Sequence, residues 1–359
     1  MTDRTPAPPE DPLGTLLAEG LETGRYACAV AVVGDAASNE RALAVGQSDP
    51  RAGVDATADT VFDVASLTKP VVTTTVALRL VEDGVLALSD ELGDHVSELA
   101  DARRGGATVR QLLTHTAGFR PYHHGAWGSR AAAEAAILKE PLLARGPGET
   151  HEYSCLGFVH LAVLLRRTTG LSLAELARRL VFDPADMTHA QMGPLADPPA
   201  NTAVTYDHEQ EDRRLKGEIH DPIARAMDGE SGNAGLFATA TDLAAFARGL
   251  LGAEPGSDRP LLAPATVEAL HADQLPELDD SHGLGWRVAH DGSPVLGWAD
   301  TATGSPAIGH TGYTGTSLWI DRRRDRFALL LSNEVHEGKD DSFARFRERF
   351  YGLAAAGRY

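Results

Sequence analysis

Apolar runs of strand length cluster at the two ends of the chain, and helical periodicity fills the middle. Near the start, "YACAVAVVGD" (26–35) and "RALAVGQ" (41–47) are short, β-prone runs separated by Gly, Asp and Asn, a pattern that predicts two strands. Near the end come "LGWRVAH" (284–290), "TGTSLWID" (314–321) and "RFALLLSN" (326–333). The last lacks polar alternation across FALLL and is expected to be buried on both faces. Between these groups, apolar spacing over 71–82, 156–165 and 173–181 predicts helices, with stops at Gly84 and Gly170. Ser172-x-x-Glu175 and Thr239-x-x-Asp242 have the form of capping boxes, in which a side-chain oxygen satisfies an orphan helix N–H and the acidic partner reaches back. Strands at both ends around a helical middle predict an α/β fold of the α+β type: one antiparallel sheet built from both chain ends, flanking helices, an inserted helical region, and a cleft between the two parts. The expected division is a flexible tail over 1–13 and a single unit over 14–359, its sheet part at 14–69 and 280–359 and its mostly helical part at 70–279.

Composition narrows the partners. With 43% hydrophobic residues in 359, the chain can bury a large core. "MTDRTPAPPEDPL" has no apolar stretch resembling a signal peptide, and no run approaches the roughly 18 apolar residues of a membrane span, so a cytoplasmic, soluble protein is expected. A formal net charge of −18 repels polyanions and argues against nucleic acid or an anionic membrane as partner. Only four of the 33 basic residues are lysines, Lys69, Lys139, Lys216 and Lys339. An acidic, lysine-poor surface fits a protein adapted to high salt, and it fits equally a GC-rich coding bias. The two cysteines, Cys28 and Cys155, are too few for a disulfide framework and read as free thiols.

The segment "FDVASLTKPVVTTTVALRL" (62–80) contains Ser66-x-x-Lys69 directly before Pro70. Proline is tolerated near a helix beginning, which places Ser66 at the N-terminal end of a helix and Lys69 on the same face. A serine hydroxyl is a poor nucleophile until a neighbouring base takes its proton. A partly desolvated amine can have its pKa lowered enough to serve as that base. The competing interpretation is a helix-capping serine and a solvated lysine.

Two further segments follow in order: "HEYSCLGFVHLAVLLRRTTGLSL" (151–173), with Tyr153 just ahead of an apolar helix, and "IGHTGYTGTSLWI" (308–320), with His310-Thr311-Gly312 ahead of a strand. With these the chain resembles the serine β-lactamase and penicillin-binding-protein superfamily, most closely class C β-lactamases and family VIII carboxylesterases. The three signature elements of that group, Ser-x-x-Lys, Tyr-x-Asn and Lys-Thr-Gly, correspond to Ser66-Leu67-Thr68-Lys69, Tyr153-Ser154-Cys155 and His310-Thr311-Gly312. "LLTHTAGF" (112–119) and "NAGLFATATDLAAF" (233–246) also resemble segments of the group, and the likeness extends over about residues 20–335. Two elements depart from the β-lactamase form. Cys155 replaces the asparagine that would bond a substrate amide, and His310 replaces the lysine that would hold a β-lactam carboxylate.

The resemblance implies acyl transfer. Ser66 would attack an ester or small amide, with Lys69 and Tyr153 sharing the proton work as base and relay, their order left open. The backbone N–H groups of Ser66 and Tyr313 would hold the oxyanion, with His310, Thr311, Gly312 and Cys155 about the substrate. His310 reads either as a strand-end histidine or as electrostatic support to the intermediate. Thr114 and His115 are expected to be structural, His123 and His124 to be loop residues, and Cys155 to be inert. The chain has no Gly-x-Ser-x-Gly elbow, His-Glu-x-x-His or Gly-rich phosphate loop, so no cofactor and no metal are expected. The expected partner is a small-molecule ester or amide. An esterase-like serine hydrolase is the leading reading; a β-lactamase or D-amino-acid-specific peptidase, and a non-catalytic binding or sensor domain, are the alternatives.

Overall fold

The fold is described from a computed structural model, which covers residues 11–100, 103–125, 127–143, 145–207, 213–252, 260–278, 281–289, 307–334 and 342–359. His290, residues 1–10 of the tail expected over 1–13, and Lys339 lie outside the described residues; the last two residues of that expected tail instead open the helix Pro12–Glu22, where Leu13 is buried. In chain order the strands are β1 (Cys28–Gly34), β2 (Asn39–Asp49), β3 (Val54–Asp55), β4 (Phe62–Asp63), β5 (Gln191–Met192) and β6 (Thr205–Asp207). There follow β7 (Arg213–Leu215), β8 (Leu236–Ala238), β9 (Arg287–Val288), β10 (Ile308–Thr311), β11 (Ser317–Asp321) and β12 (Arg326–Ser332).

Seven of them form one sheet in the order β3-β2-β1-β12-β11-β10-β9, antiparallel throughout. First and last strands therefore meet at its centre, where Ala29 to Gly34 of β1 pair with Ser332 to Phe327 of β12. Period-two alternation divides these strands between two cores. Cys28, Val30 and Val32, with Phe327, Leu329 and Leu331, face the helical middle of the chain. Ala29, Ala31 and Val33, with Ala328 and Leu330, face the helices Pro12–Glu22 and Ser342–Ala355. All five residues of FALLL are fully buried, as a strand covered on both faces requires.

Both predicted capping boxes are formed, Ser172 with Glu175 and Thr239 with Asp242. The helix Cys155–Thr169 ends on Gly170 at φ +71°, the left-handed conformation that glycine adopts without a Cβ penalty. The predicted 71–82 helix is split: Lys69–Thr74 is wound as a π-helix and only Thr75–Glu82 is α-helical. The 173–181 helix divides likewise, at Ala177. "LGWRVAH" yields only the two-residue β9, because Gly283 and Gly285 turn the chain so tightly that the Gly283 N–H donates to the Trp286 carbonyl. Among the described residues no helix is long and apolar enough to cross a membrane.

Candidate active site

The turn that presents Ser66 begins with Asp63 at the end of β4. Its Oδ1 accepts the Ala65 N–H at 2.9 Å, an Asx turn, and Ala65 is held at φ +48°, a strained conformation for a residue with a Cβ. Ser66 follows in a 3₁₀ turn, Ala65–Leu67, and the Thr68 hydroxyl locks that turn by donating to the Ala65 carbonyl at 2.6 Å. Lys69 opens the π-helical segment, fully buried, and its Nζ donates to Ser66 Oγ at 2.9 Å and to the Asn233 carbonyl at 3.0 Å. Three residues of separation thus become a direct contact between a buried lysine and a serine that faces the cavity.

Burial alone would strip the Lys69 proton. Negative charge on Cys155 and on Tyr153 where these ionise, and the Asp221 carboxylate farther off, oppose it and raise the pKa above the ordinary lysine value. This corrects the expectation of a lowered amine pKa: the shift at Lys69 is upward, and it is tied to the protons on Tyr153 and Cys155. Its nitrogen lies 5.0 Å from the centre of the Tyr153 ring. Burial raises the Cys155 thiol, with Lys69 pulling the other way, so the thiol stays protonated.

Tyr153 immediately precedes Ser154, the N-cap of the helix Cys155–Thr169, whose Oγ accepts the Gly157 N–H at 3.0 Å. His115, expected to be structural, packs against Tyr153 at 4.5 Å between ring centres with the rings tilted by 40°, and its Nδ1 accepts the Ser154 N–H at 3.1 Å. Burial, then the charges of His282 and Lys69, push its pKa well below the usual histidine value, which keeps Nδ1 free to accept. His310 is buried 6.0 Å from Tyr153 between ring centres, with Nδ1 donating to the Thr311 carbonyl at 2.9 Å. Burial, then the charges of Lys69 and Arg287, hold it neutral too. The position that an ammonium would occupy for a β-lactam carboxylate is therefore uncharged.

His310-Thr311-Gly312 stands ahead of β11 as expected; His310 and Thr311 themselves end β10, and the turn 312–316 leads into β11. That turn is laced to the serine turn by two hydroxyls: Thr314 Oγ1 donates to the Asp63 carbonyl at 2.8 Å and Thr316 Oγ1 to the Val64 carbonyl at 2.9 Å. Gly312 is required by space. A Cβ there would lie 2.1 Å from Thr316 Oγ1 and 2.3 Å from the Val64 carbonyl oxygen. Tyr313, at the tip, is 55% exposed and packs over His220 at 5.4 Å between ring centres.

Ser66, Tyr153, Cys155 and Tyr313 line one cavity of about 330 Å³, together with Tyr122, His124, Tyr206 and Asp221. Lys69 and His310 sit buried behind it, and a larger open groove near Glu98, Arg130 and Arg167 holds none of these residues. His124, expected to be a solvated loop residue, lines the cavity, whereas His123 pairs with Glu140. Sequence reasoning missed Asp63, Asn233 and Asp221. For Asp63 a local signal existed, an Asp two positions before Ala65; Asn233 acts through its backbone carbonyl, which no side-chain motif marks.

Comparison with known proteins identifies the family and the fold. The family model described as Beta-lactamase matches residues 13–353. A protein of Escherichia coli strain K12, provisionally named a D-alanyl-D-alanine carboxypeptidase, is 29% identical over 311 residues, covering 79% of this chain and 71% of its own. Among solved structures, a class C beta-lactamase superposes with a TM-score of 0.77 at 17% identity, over 95% of this chain and 94% of its own. EstCE1, described as a hydrolase with promiscuous acyltransferase activity, superposes with a TM-score of 0.75 at 20% identity, over 95% and 97%.

Proposed function

The chain belongs to the beta-lactamase family of serine hydrolases, and on that footing we propose that it cleaves an ester or small amide through an acyl-enzyme on Ser66. The observation that carries the reading is the buried 2.9 Å contact between Lys69 Nζ and Ser66 Oγ at the floor of the cavity. The Lys69–Tyr153 pair reacts in the form that lacks one proton, amine with phenol or ammonium with phenolate, and takes the Ser66 proton through the Lys69 Nζ contact. Ser66 Oγ adds to the carbonyl carbon, and the N–H groups of Ser66 and Tyr313 receive the oxyanion. Collapse of the tetrahedral adduct expels the alcohol or amine, which takes that proton back from the Lys69–Tyr153 pair. Water then enters by the same route and releases the acid.

An uncharged acyl substrate is favoured over a β-lactam because His310 is buried and neutral where a carboxylate anchor would stand, and because Cys155 offers a protonated thiol in place of an amide. A peptidase reading has one observation in its favour: Arg287 lies 6.0 Å from the Tyr153 ring, a cation able to receive a terminal carboxylate, and the E. coli relative is named for that chemistry. Turnover of p-nitrophenyl butyrate, a chromogenic cephalosporin and a D-alanyl-D-alanine peptide by the wild type and Ser66→Ala separates these. The proposal expects ester turnover that vanishes in the variant; hydrolysis of the cephalosporin or the peptide alone contradicts the esterase preference.

A further inference from the structure

The cavity in front of Ser66 has three aromatic walls, Tyr122, Tyr206 and Tyr313, and two carboxylates, Asp207 and Asp221. Asp207 is neutralised by Arg225 at 2.7 Å. Asp221 makes no ion pair of this kind among the described residues, and the buried Lys69 side chain is a cation that acts on it only from farther off. Its Oδ1 accepts the Ala224 N–H at 2.8 Å, capping the short helix Pro222–Ala226, and its Oδ2 accepts the Tyr122 hydroxyl at 3.2 Å. Each oxygen retains capacity to accept a further bond after these, and the residue lines the cavity.

The position of this carboxylate relative to the nucleophile is set by a single side chain. Asp63 accepts the Ala65 N–H on Oδ1 at 2.9 Å and the His220 N–H on Oδ2 at 2.7 Å, so the residue before Ser66 and the residue before Asp221 hang from one buried carboxyl. A negative charge beside aromatic faces, in a partly closed cavity of a chain with net charge −18, is an environment that attracts cations and repels carboxylates.

Resting on the serine hydrolase reading above, we infer that Asp221 is a cation anchor, so that the preferred substrates are esters or amides carrying a positively charged nitrogen on the part that occupies this cavity. The aromatic rings cover the apolar substituents of that nitrogen and the carboxylate neutralises it.

Two isosteric ester pairs test the inference on both sides of the scissile bond: p-nitrophenyl 4-(trimethylammonio)butyrate against p-nitrophenyl 5,5-dimethylhexanoate, and butyrylthiocholine against S-(3,3-dimethylbutyl) thiobutyrate. Each pair exchanges N⁺ for C at constant shape, and the charge is independent of pH. At least a tenfold preference in kcat/KM for the cationic member of one pair, lost in Asp221→Asn, is the expected result. Asparagine keeps the helix cap, and a second measurement on the wild type stands apart from folding of the variant: tetramethylammonium competes with p-nitrophenyl butyrate, at fixed ionic strength. No preference in either pair, no competition, or a preference that persists in a folded Asp221→Asn overturns the cation anchor while leaving the hydrolase intact. Failure of all four esters and of p-nitrophenyl butyrate overturns the hydrolase reading, and this inference with it.

Discussion

Gly312→Ala tests the spatial logic of the site with one methyl group. The backbone at Gly312 is outside the left-handed region, so alanine meets no conformational penalty, only a lack of room. Its Cβ would lie 2.3 Å from the Val64 carbonyl oxygen, and reaching even 3.0 Å requires the two turns to separate by about 0.7 Å (3.0 − 2.3). The opposing atom is backbone one residue before Ala65, so the displacement passes into the Ser66 turn and cannot be absorbed by a side-chain rotation. The Tyr313 N–H then no longer converges with that of Ser66 on the oxyanion. Loss of one such donor costs about 10²–10³ in kcat, while overpacking of this kind costs about 1–3 kcal/mol of stability. The assay is kcat for p-nitrophenyl butyrate beside a urea unfolding curve. Expected is a kcat at least about 100-fold lower in a protein that still unfolds cooperatively. Removing the nearer contact in Gly312→Ala/Thr316→Ala leaves the Val64 carbonyl in place and restores little of that rate. A folded Gly312→Ala variant with kcat within about twofold of wild type would refute the reasoning, because the donors would then not depend on this approach.

Three other outcomes follow from the structure. Lys69→Ala and Tyr153→Phe each abolish turnover to nearly the same level and are not additive in the double variant, since parts of one proton-transfer unit fail together; additive losses in a mutant cycle contradict that unit. His160, buried with its ring stacked on Phe119 at 4.0 Å, has its pKa pushed down to about 4 by burial, so the folded protein binds fewer protons than the unfolded chain below the ordinary histidine value. Its neutral form contributes stability that is intact above about pH 6.5 and is lost as pH falls toward 4, about 3 kcal/mol over the full window, with His115 and His310 adding in the same direction. Urea curves for the wild type and His160→Gln across that window should diverge by that order, and parallel curves would dismiss the buried neutral histidine. Cys155, its thiol raised by burial, should react with a disulfide reagent near pH 8 far more slowly than free cysteine, and rapid labelling would show that the thiolate prevails.

The parts of this molecule legible in the sequence are those whose signal is local. β1, β2 and β12 announce themselves through apolar runs bounded by turn residues, and the capping boxes at Ser172 and Thr239 through spacing alone. The π-helical winding at Lys69–Thr74 has nearly the apolar spacing of an α-helix, so periodicity does not separate the two. The Ser66–Lys69 contact could be anticipated from a three-residue spacing, but the sign of the lysine shift could not, because Cys155, Tyr153 and Asp221 reach Lys69 from distant parts of the chain. His115 against Tyr153, Asp63 joining Ala65 to His220, and Asp221 in the cavity are juxtapositions made by tertiary packing between segments tens to more than a hundred residues apart.

The most direct test of the central claim is the intact mass of the protein quenched seconds after mixing with p-nitrophenyl butyrate, with Ser66→Ala alongside. A butyryl adduct that maps to Ser66, decays as the ester is consumed and is absent from the variant is the predicted result. Turnover that continues in Ser66→Ala, or an adduct that maps to any other residue, would contradict the assignment of Ser66 as the nucleophile.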